Sequence, residues 1–133
     1  MSLNKQYQTY QDNAVNTASG PELTMMLYNG CIKFIKHAKK SMKEKNYEEK
    51  NVNIQKAQKI IQELMLTMDR DIDITHQILP LYEYMLHQLK EGNIKNDEAL
   101  LDEALSYTIE FRDTWKEVIL KTRQNQYAQG AKV

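Results

Sequence analysis

Apolar side chains recur every three to four residues in four segments of the chain, which is the spacing of one face of an α-helix. Three segments, at about 46–69, 71–92 and 96–123, carry a single apolar stripe and predict helices with one buried face. The first segment, Pro21–Met42, differs because its apolar residues surround most of the helix. Such a helix is either covered on every side or exposes apolar surface to a partner. These residues are Leu23, Met25, Leu27, Tyr28, Ile32, Phe34, Ile35 and Ala38.

Capping signals place the boundaries of the first two predicted helices. Ser19 precedes Glu22 by three residues, which is the spacing of a capping box. Asn46 and Glu49 repeat the spacing before the second stripe. We therefore expect helix one to begin within the first box, and helix two to run from Asn46 to about Asp69.

The third predicted helix has alternative starting points. Asp71 or Asp73 can cap it, but Pro80 removes a backbone hydrogen bond and predicts either a kink or a late start near Ile78. Gly92 supplies a C-terminal stop, because glycine is the usual residue just past a helix end.

The links between the four stripes are short, and the chain shows no internal repeat. Helix four begins at Asn96, and its periodicity is lost after about Arg123. These features predict an all-α fold, an antiparallel up-down four-helix bundle with a short N-terminal capping segment. We expect a mobile cap segment at 1–20, the bundle at 21–123 and a flexible tail at 124–133.

Composition and charge exclude several classes of function. The 133 residues contain 18 basic and 18 acidic side chains, so no net charge attracts nucleic acid or an anionic membrane. No apolar run approaches the roughly 20 residues of a membrane span, and the N-terminus lacks the apolar core of a signal peptide. The single cysteine, Cys31, fits a reducing compartment. We expect a cytoplasmic protein without membrane insertion.

Candidate catalytic and metal-binding residues are few. A carboxylate-bridged metal site in a bundle needs two Glu-x-x-His motifs, whereas this chain offers Asp73 with His76, and Glu83 with His87. His37 lies in a basic helix end, where a surface histidine is the simpler interpretation. No phosphate-binding loop, nucleophile elbow or paired cysteine ligands occur. The sequence therefore predicts a binding module without enzymatic activity, metal or cofactor.

Seven short strings follow one another between Tyr7 and about Trp115. Each is weak alone, but together they are specific: Tyr7–Tyr10, Asn13–Ser19, Glu22–Gly30, Lys56–Leu64, Leu81–Met85, Asn93–Asp97 and Phe111–Trp115. In these strings the chain resembles the FliS family of flagellar export chaperones.

The resemblance implies a cytoplasmic helical bundle that binds flagellin. The ligand would be the C-terminal segment of flagellin, which is disordered before export and folds around the chaperone. Binding would prevent premature polymerisation and direct flagellin to the export gate protein FlhA of the flagellar type III apparatus. In relatives the N-terminal segment caps a hydrophobic region of the bundle, and by position this role falls on Tyr7 and Tyr10.

The surplus apolar face of helix one, with its neighbours on helix two, is where we expect the partner to bind. A competing interpretation is a purely structural bundle that oligomerises through the same face, for example as a homodimer, with no exported client. The expected contact residues are Met25, Tyr28, Ile32 and Ile35 on helix one, and Ile61, Leu64 and Met68 on helix two.

Overall fold

Four helices account for most of the chain that the structure, a computed structural model, describes. It describes residues 20–131, with side chains through residue 125. The helices are α1, Gly20–Lys43; α2, Tyr47–Leu66; α3, Asp73–Lys95; and α4, Glu98–Ala131. The predicted all-α helical bundle is confirmed. The predicted cap segment, with Tyr7 and Tyr10, lies outside the described residues except for Gly20.

Each helix of the bundle packs against two others. Helix α1 lies between α2 and α4, and α3 lies between the same two neighbours. The core at their centre includes Ile35, Ile54, Ile61, Met85 and Leu89, all without exposed surface.

This arrangement explains why the apolar residues of α1 surround most of the helix. Two neighbours and the bundle centre together cover a wider arc than one stripe does. Tyr28, Ile32 and Ile35 are therefore buried in the core. The expectation that this half of helix one exposes a surplus apolar face is wrong as far as these three residues are concerned.

Local capping determines the start of α2, as the sequence predicts. The Oδ1 atom of Asn46 accepts a hydrogen bond from the backbone N–H of Glu49 at 3.3 Å. The Nδ2 atom of Asn46 donates to Glu49 Oε2 at 3.0 Å, so the two residues cap reciprocally. The helix ends at Leu66 rather than near Asp69, and Thr67 forms its C-cap.

The start of α3 differs from both predicted alternatives. The N-cap is Ile72, which makes no side-chain capping hydrogen bond, and Asp73 is the first helical residue. The hydroxyl of Thr75 donates to the carbonyl of Asp69 at 2.7 Å and ties the first turn to the preceding loop. Pro80 lies inside the helix on an exposed face, where water can reach the carbonyl that the missing N–H leaves free. The late start near Ile78 is therefore wrong.

Gly92 does not stop α3 but allows it to approach α4. The helix continues to Lys95, and Asn96 ends it in the left-handed conformation at φ 50°. A Cβ on Gly92 would lie 2.9 Å from Leu101 Cδ2 and 3.2 Å from the carbonyl oxygen of Asp97. Glycine is required here because a neighbouring helix occupies the space of a side chain.

Helix α4 continues to Ala131, past the end near Arg123 that the loss of periodicity predicts. The segment after Arg123 is rich in glutamine and alanine and contains no proline, so its composition is compatible with a helix. The flexibility expected for residues 124–133 stays a prediction.

Candidate binding cleft

An apolar cleft of about 560 Å³ opens at the end of the bundle where α2 passes into α3. The N-terminal half of α1 and the C-terminal half of α4 form its other sides. We call this feature the end cleft. It is lined by Thr24, Tyr28, Leu64, Thr67, Met68, Asp69, Ile74, Thr75, Ile78, Tyr82, Glu110, Phe111, Thr114, Trp115 and Val118.

Three aromatic rings from three helices pack together at the inner side of the end cleft. Phe111 stacks on Tyr28 with ring centroids 6.3 Å apart, and it lies 5.1 Å from Tyr82 in a tilted arrangement. The hydroxyl groups of Tyr28 and Tyr82 share a hydrogen bond of 2.5 Å across the bundle centre. This contact fixes the positions of α1 and α3, which do not pack directly against each other.

The two tyrosine hydroxyls stay protonated at neutral pH. Burial raises the pKa of Tyr28, and the hydrogen bond from Tyr82 offsets only part of that effect. Burial also raises the pKa of Tyr82, with Tyr28 adding to the shift. The end cleft therefore presents neutral hydroxyl groups on an otherwise apolar inner surface.

Cys31 lies in the core beside these tyrosines and is fully buried. Burial raises the pKa of its thiol to about 12. Its S–H group donates to the carbonyl of Ala57 at 3.8 Å. A thiol in this state fills space in the core and is not a reactive nucleophile.

The rim of the end cleft exposes large apolar side chains. Ile74 is 55% exposed and Val118 is 43% exposed, and Leu66 and Ile72 flank them on the loop side. The charged residues among the cleft lining are Asp69 and Glu110, both acidic. Exposed apolar groups around a concave apolar surface are typical of protein interaction sites.

A smaller cavity of about 300 Å³ continues from the end cleft along α4 toward the start of α1. Trp115 and Val118 line both cavities. The indole N–H of Trp115 donates to the carbonyl of Pro21 at 3.0 Å, and Arg123 pairs with Glu22 at 3.1 Å. These bonds attach the beginning of α1 to the second half of α4.

The end cleft brings together only part of the residues predicted from sequence. Tyr28, Leu64 and Met68 line it. Met25 is half-buried and lies outside the lining. The other three predicted contacts, Ile32, Ile35 and Ile61, are core residues. That these seven residues contact a partner stays a prediction.

Sequence reasoning missed the part of the end cleft that α3 and α4 supply. Ile74, Ile78 and Trp115 belong to the apolar stripes of their helices, which predicted core positions. The periodicity gave the correct face but could not show that the bundle opens at this end.

Among residues 20–131 no group of three or more His, Cys, Asp or Glu side chains could hold a metal ion. No helix in that part of the chain is both long enough and apolar enough to cross a membrane.

The architecture is that of a helical bundle, and its open apolar cleft is the candidate binding site. The family model described as "Flagellar protein FliS" matches residues 3–122. The chain thus belongs to the FliS family of flagellar secretion chaperones.

Curated members of this family match the chain over most of their length. The flagellar secretion chaperone FliS of Bacillus subtilis is 44% identical over 130 residues, which covers 98% of each chain. FliS of Escherichia coli is 30% identical over 112 residues, 82% of each chain. FliSB of Pseudomonas aeruginosa is 33% identical over 118 residues, 86% of this chain and 94% of that protein.

Proposed function

We propose that this chain is a flagellin-specific export chaperone that acts in the cytoplasm. It binds the disordered C-terminal segment of flagellin, prevents premature polymerisation and delivers flagellin to the flagellar type III export gate through FlhA. Membership of a flagellar chaperone family supports the proposal. The observation that carries it is the apolar end cleft, which offers concave surface to a segment of another chain.

The physical task is to cover apolar surface on flagellin before assembly. Helical segments with an apolar face associate when they are exposed, and a partner's groove can bury that face without ATP. Ordering a disordered segment costs several kcal/mol of the gross interaction energy. The contact must therefore be larger than the end cleft alone, and its exposed apolar rim extends the available surface.

Within this proposal the seven predicted contacts divide into two groups. Tyr28, Leu64 and Met68 contact flagellin directly, and Met25 lies beside them on α1. The core residues Ile32, Ile35 and Ile61 support the cleft from behind. Charged substitutions at these buried positions would unfold the bundle rather than test binding.

The N-terminal segment enters the proposal as a competitor for the same surface. Tyr7 and Tyr10 would cover apolar surface of the empty chaperone and leave when flagellin binds. Thr24 lies close to the start of α1 and lines the end cleft, so the preceding residues need not extend far to reach it. The apparent affinity for flagellin would then fall in proportion to the fraction of chaperone that is capped.

The proposal is tested by calorimetric titration of a synthetic peptide of the C-terminal segment of flagellin, from the bacterium that makes this chain. We expect one peptide per chain for the wild type and at least tenfold weaker binding for Ile74→Asp. This position is on the cleft rim and 55% exposed, so the variant should fold. A charge there must be desolvated when the apolar peptide covers it.

Leu120→Asp is the matched control. Leu120 is 49% exposed on α4 and lines neither of the two cavities. We expect its affinity to equal that of the wild type. A wild-type chain that does not bind the peptide contradicts the proposed function, whereas equal losses in both variants contradict only the location in the end cleft.

A further inference from the structure

The hydroxyl pair of Tyr28 and Tyr82 is a buried polar feature at the inner side of the end cleft. Tyr28 is 6% exposed and Tyr82 is 2% exposed, and both side chains line the cleft. They come from α1 and α3, and their oxygens are 2.5 Å apart.

Two hydroxyl groups carry two protons, and the bond between them uses one. Within residues 20–131, neither hydroxyl makes a second hydrogen bond. One O–H group therefore has no acceptor among these residues and lies at the inner side of the cleft. A segment that covers the cleft must supply an acceptor for this donor, because a buried donor left unsatisfied is destabilising.

The threonines of the cleft do not satisfy this donor and do not offer an equivalent one. Thr24, Thr67 and Thr75 donate their hydroxyl protons to backbone carbonyls of the chain at 3.2, 2.8 and 2.7 Å. Thr114, the fourth threonine of the lining, is exposed to solvent. The spare proton of the tyrosine pair is thus distinct in being buried and available.

The charge of the cleft restricts what can accept this proton. The charged residues of the lining, Asp69 and Glu110, are both acidic, so a carboxylate would be repelled and would also have to be desolvated. A neutral acceptor, such as a backbone carbonyl or a side-chain amide oxygen, meets no such penalty.

We infer that the Tyr28–Tyr82 pair is a specificity element that donates one hydrogen bond to a neutral oxygen of the bound flagellin segment. The inference rests on the proposed function and adds the chemical group that the cleft selects. Apolar walls provide area, and the pair fixes the register of the segment, since an oxygen of the segment must lie opposite the spare O–H group.

The test is calorimetric titration of the flagellin C-terminal peptide into the wild type, Tyr28→Phe, Tyr82→Phe and the double variant. Binding adds one hydrogen bond in the wild type. It also adds one in each single variant, because the remaining hydroxyl is then free to donate. In the double variant it adds none. We therefore expect near wild-type affinity for both single variants and about fivefold to tenfold weaker binding for the double variant.

Unfolding measurements separate this role from a structural one. Each single variant leaves a buried hydroxyl without a partner and should be less stable, whereas the double variant should be close to the wild type. If the variants show this stability pattern but the double variant binds the peptide as tightly as the wild type does, the inference is wrong. Tyr84→Phe is the control, because Tyr84 bonds to Glu103 outside the end cleft.

A second measurement applies if the double variant does not fold. In wild-type chain labelled with ¹³C at the tyrosine ζ carbon, peptide binding should shift the signal of Tyr28 or Tyr82 and leave Tyr84 unchanged. Unchanged signals from the pair in the presence of bound peptide contradict the inference. Absence of peptide binding by the wild type contradicts the proposed function instead.

Discussion

Single residues decide how closely the helices of this bundle approach one another. Gly92 on α3 faces the first turn of α4, where Leu100, Leu101 and the backbone of Asp97 occupy the space of a missing side chain. Gly92 has no positive φ, and its carbonyl accepts from the backbone N–H of Asn96 and, at 3.0 Å, from that of Asp97, which close the C-terminal end of α3. The requirement for glycine is therefore steric and not conformational.

Gly92→Ala should lower the free energy of unfolding by about 1 kcal/mol. Overpacking costs about 1–3 kcal/mol, which exceeds the gain of up to ~1 kcal/mol that alanine has over glycine in a helix. Urea unfolding followed by circular dichroism measures the change. Gly20→Ala is the matched control, because a Cβ there meets nothing within 4 Å and stability should not fall. Equal effects of both substitutions would show that the close approach of α3 to α4 at Gly92 does not contribute to the free energy of unfolding.

Helices α2 and α3 are fastened to each other by a buried lysine. Lys50, in the first turn of α2, donates to the carbonyl of Asn93 at 2.9 Å and to Asn96 Oδ1 at 2.6 Å. Its positive charge lies at the C-terminal end of α3, which the helix dipole makes negative. Burial lowers the pKa of Lys50, and these acceptors are what make a buried ammonium group tolerable.

Lys50→Met should therefore lower the free energy of unfolding by about 1–3 kcal/mol, because it leaves the carbonyl at the end of α3 without this donor. Lys59→Met, an exposed position on the same helix, controls for the loss of a lysine and should change stability by no more than about 0.5 kcal/mol. Thermal unfolding of the two variants gives the comparison. A Lys50 variant as stable as the Lys59 variant would contradict this role.

Features that depend on residues close together in the sequence were predictable, whereas features that depend on contacts between helices were not. The reciprocal cap of Asn46 and Glu49 depends on residues three apart, and it was predicted correctly. The role of Gly92 depends on which helix passes beside it, and the burial of Ile32 and Ile35 depends on α1 having two neighbours. Periodicity reports that a face is apolar but not how many partners cover it.

The same limit applies to the end cleft. Tyr28, Leu64 and Met68 were among the predicted contacts because they lie where α1 and α2 share apolar surface. The contributions of Ile74 and Trp115 were missed, because their apolar stripes predicted core positions and periodicity does not show that the bundle opens at this end.

At the scale of the whole molecule, the apolar surface of α1 is covered largely by the other helices of the same chain. The face proposed for oligomerisation in the structural alternative includes Tyr28, Ile32 and Ile35, which are buried within the bundle. Little of that face remains for a second copy.

We therefore expect the isolated chain to sediment as a monomer at low micromolar concentration and to form a complex of one chain with one flagellin peptide. Sedimentation velocity over a hundredfold range of concentration checks both. An obligate dimer across that range would favour the structural alternative. The matched variant Leu120→Asp should behave as the wild type does, since that residue is exposed in the single bundle.

The position of Trp115 gives this protein a built-in optical reporter. It is the one tryptophan in the sequence, and it lies in the wall shared by both cavities, with its indole N–H bonded to the carbonyl of Pro21. Any segment that enters the end cleft changes the solvent around this ring, so its emission spectrum registers occupancy without a label. The residue that stabilises the junction of α1 and α4 thereby also allows the kinetics of loading and release to be followed directly.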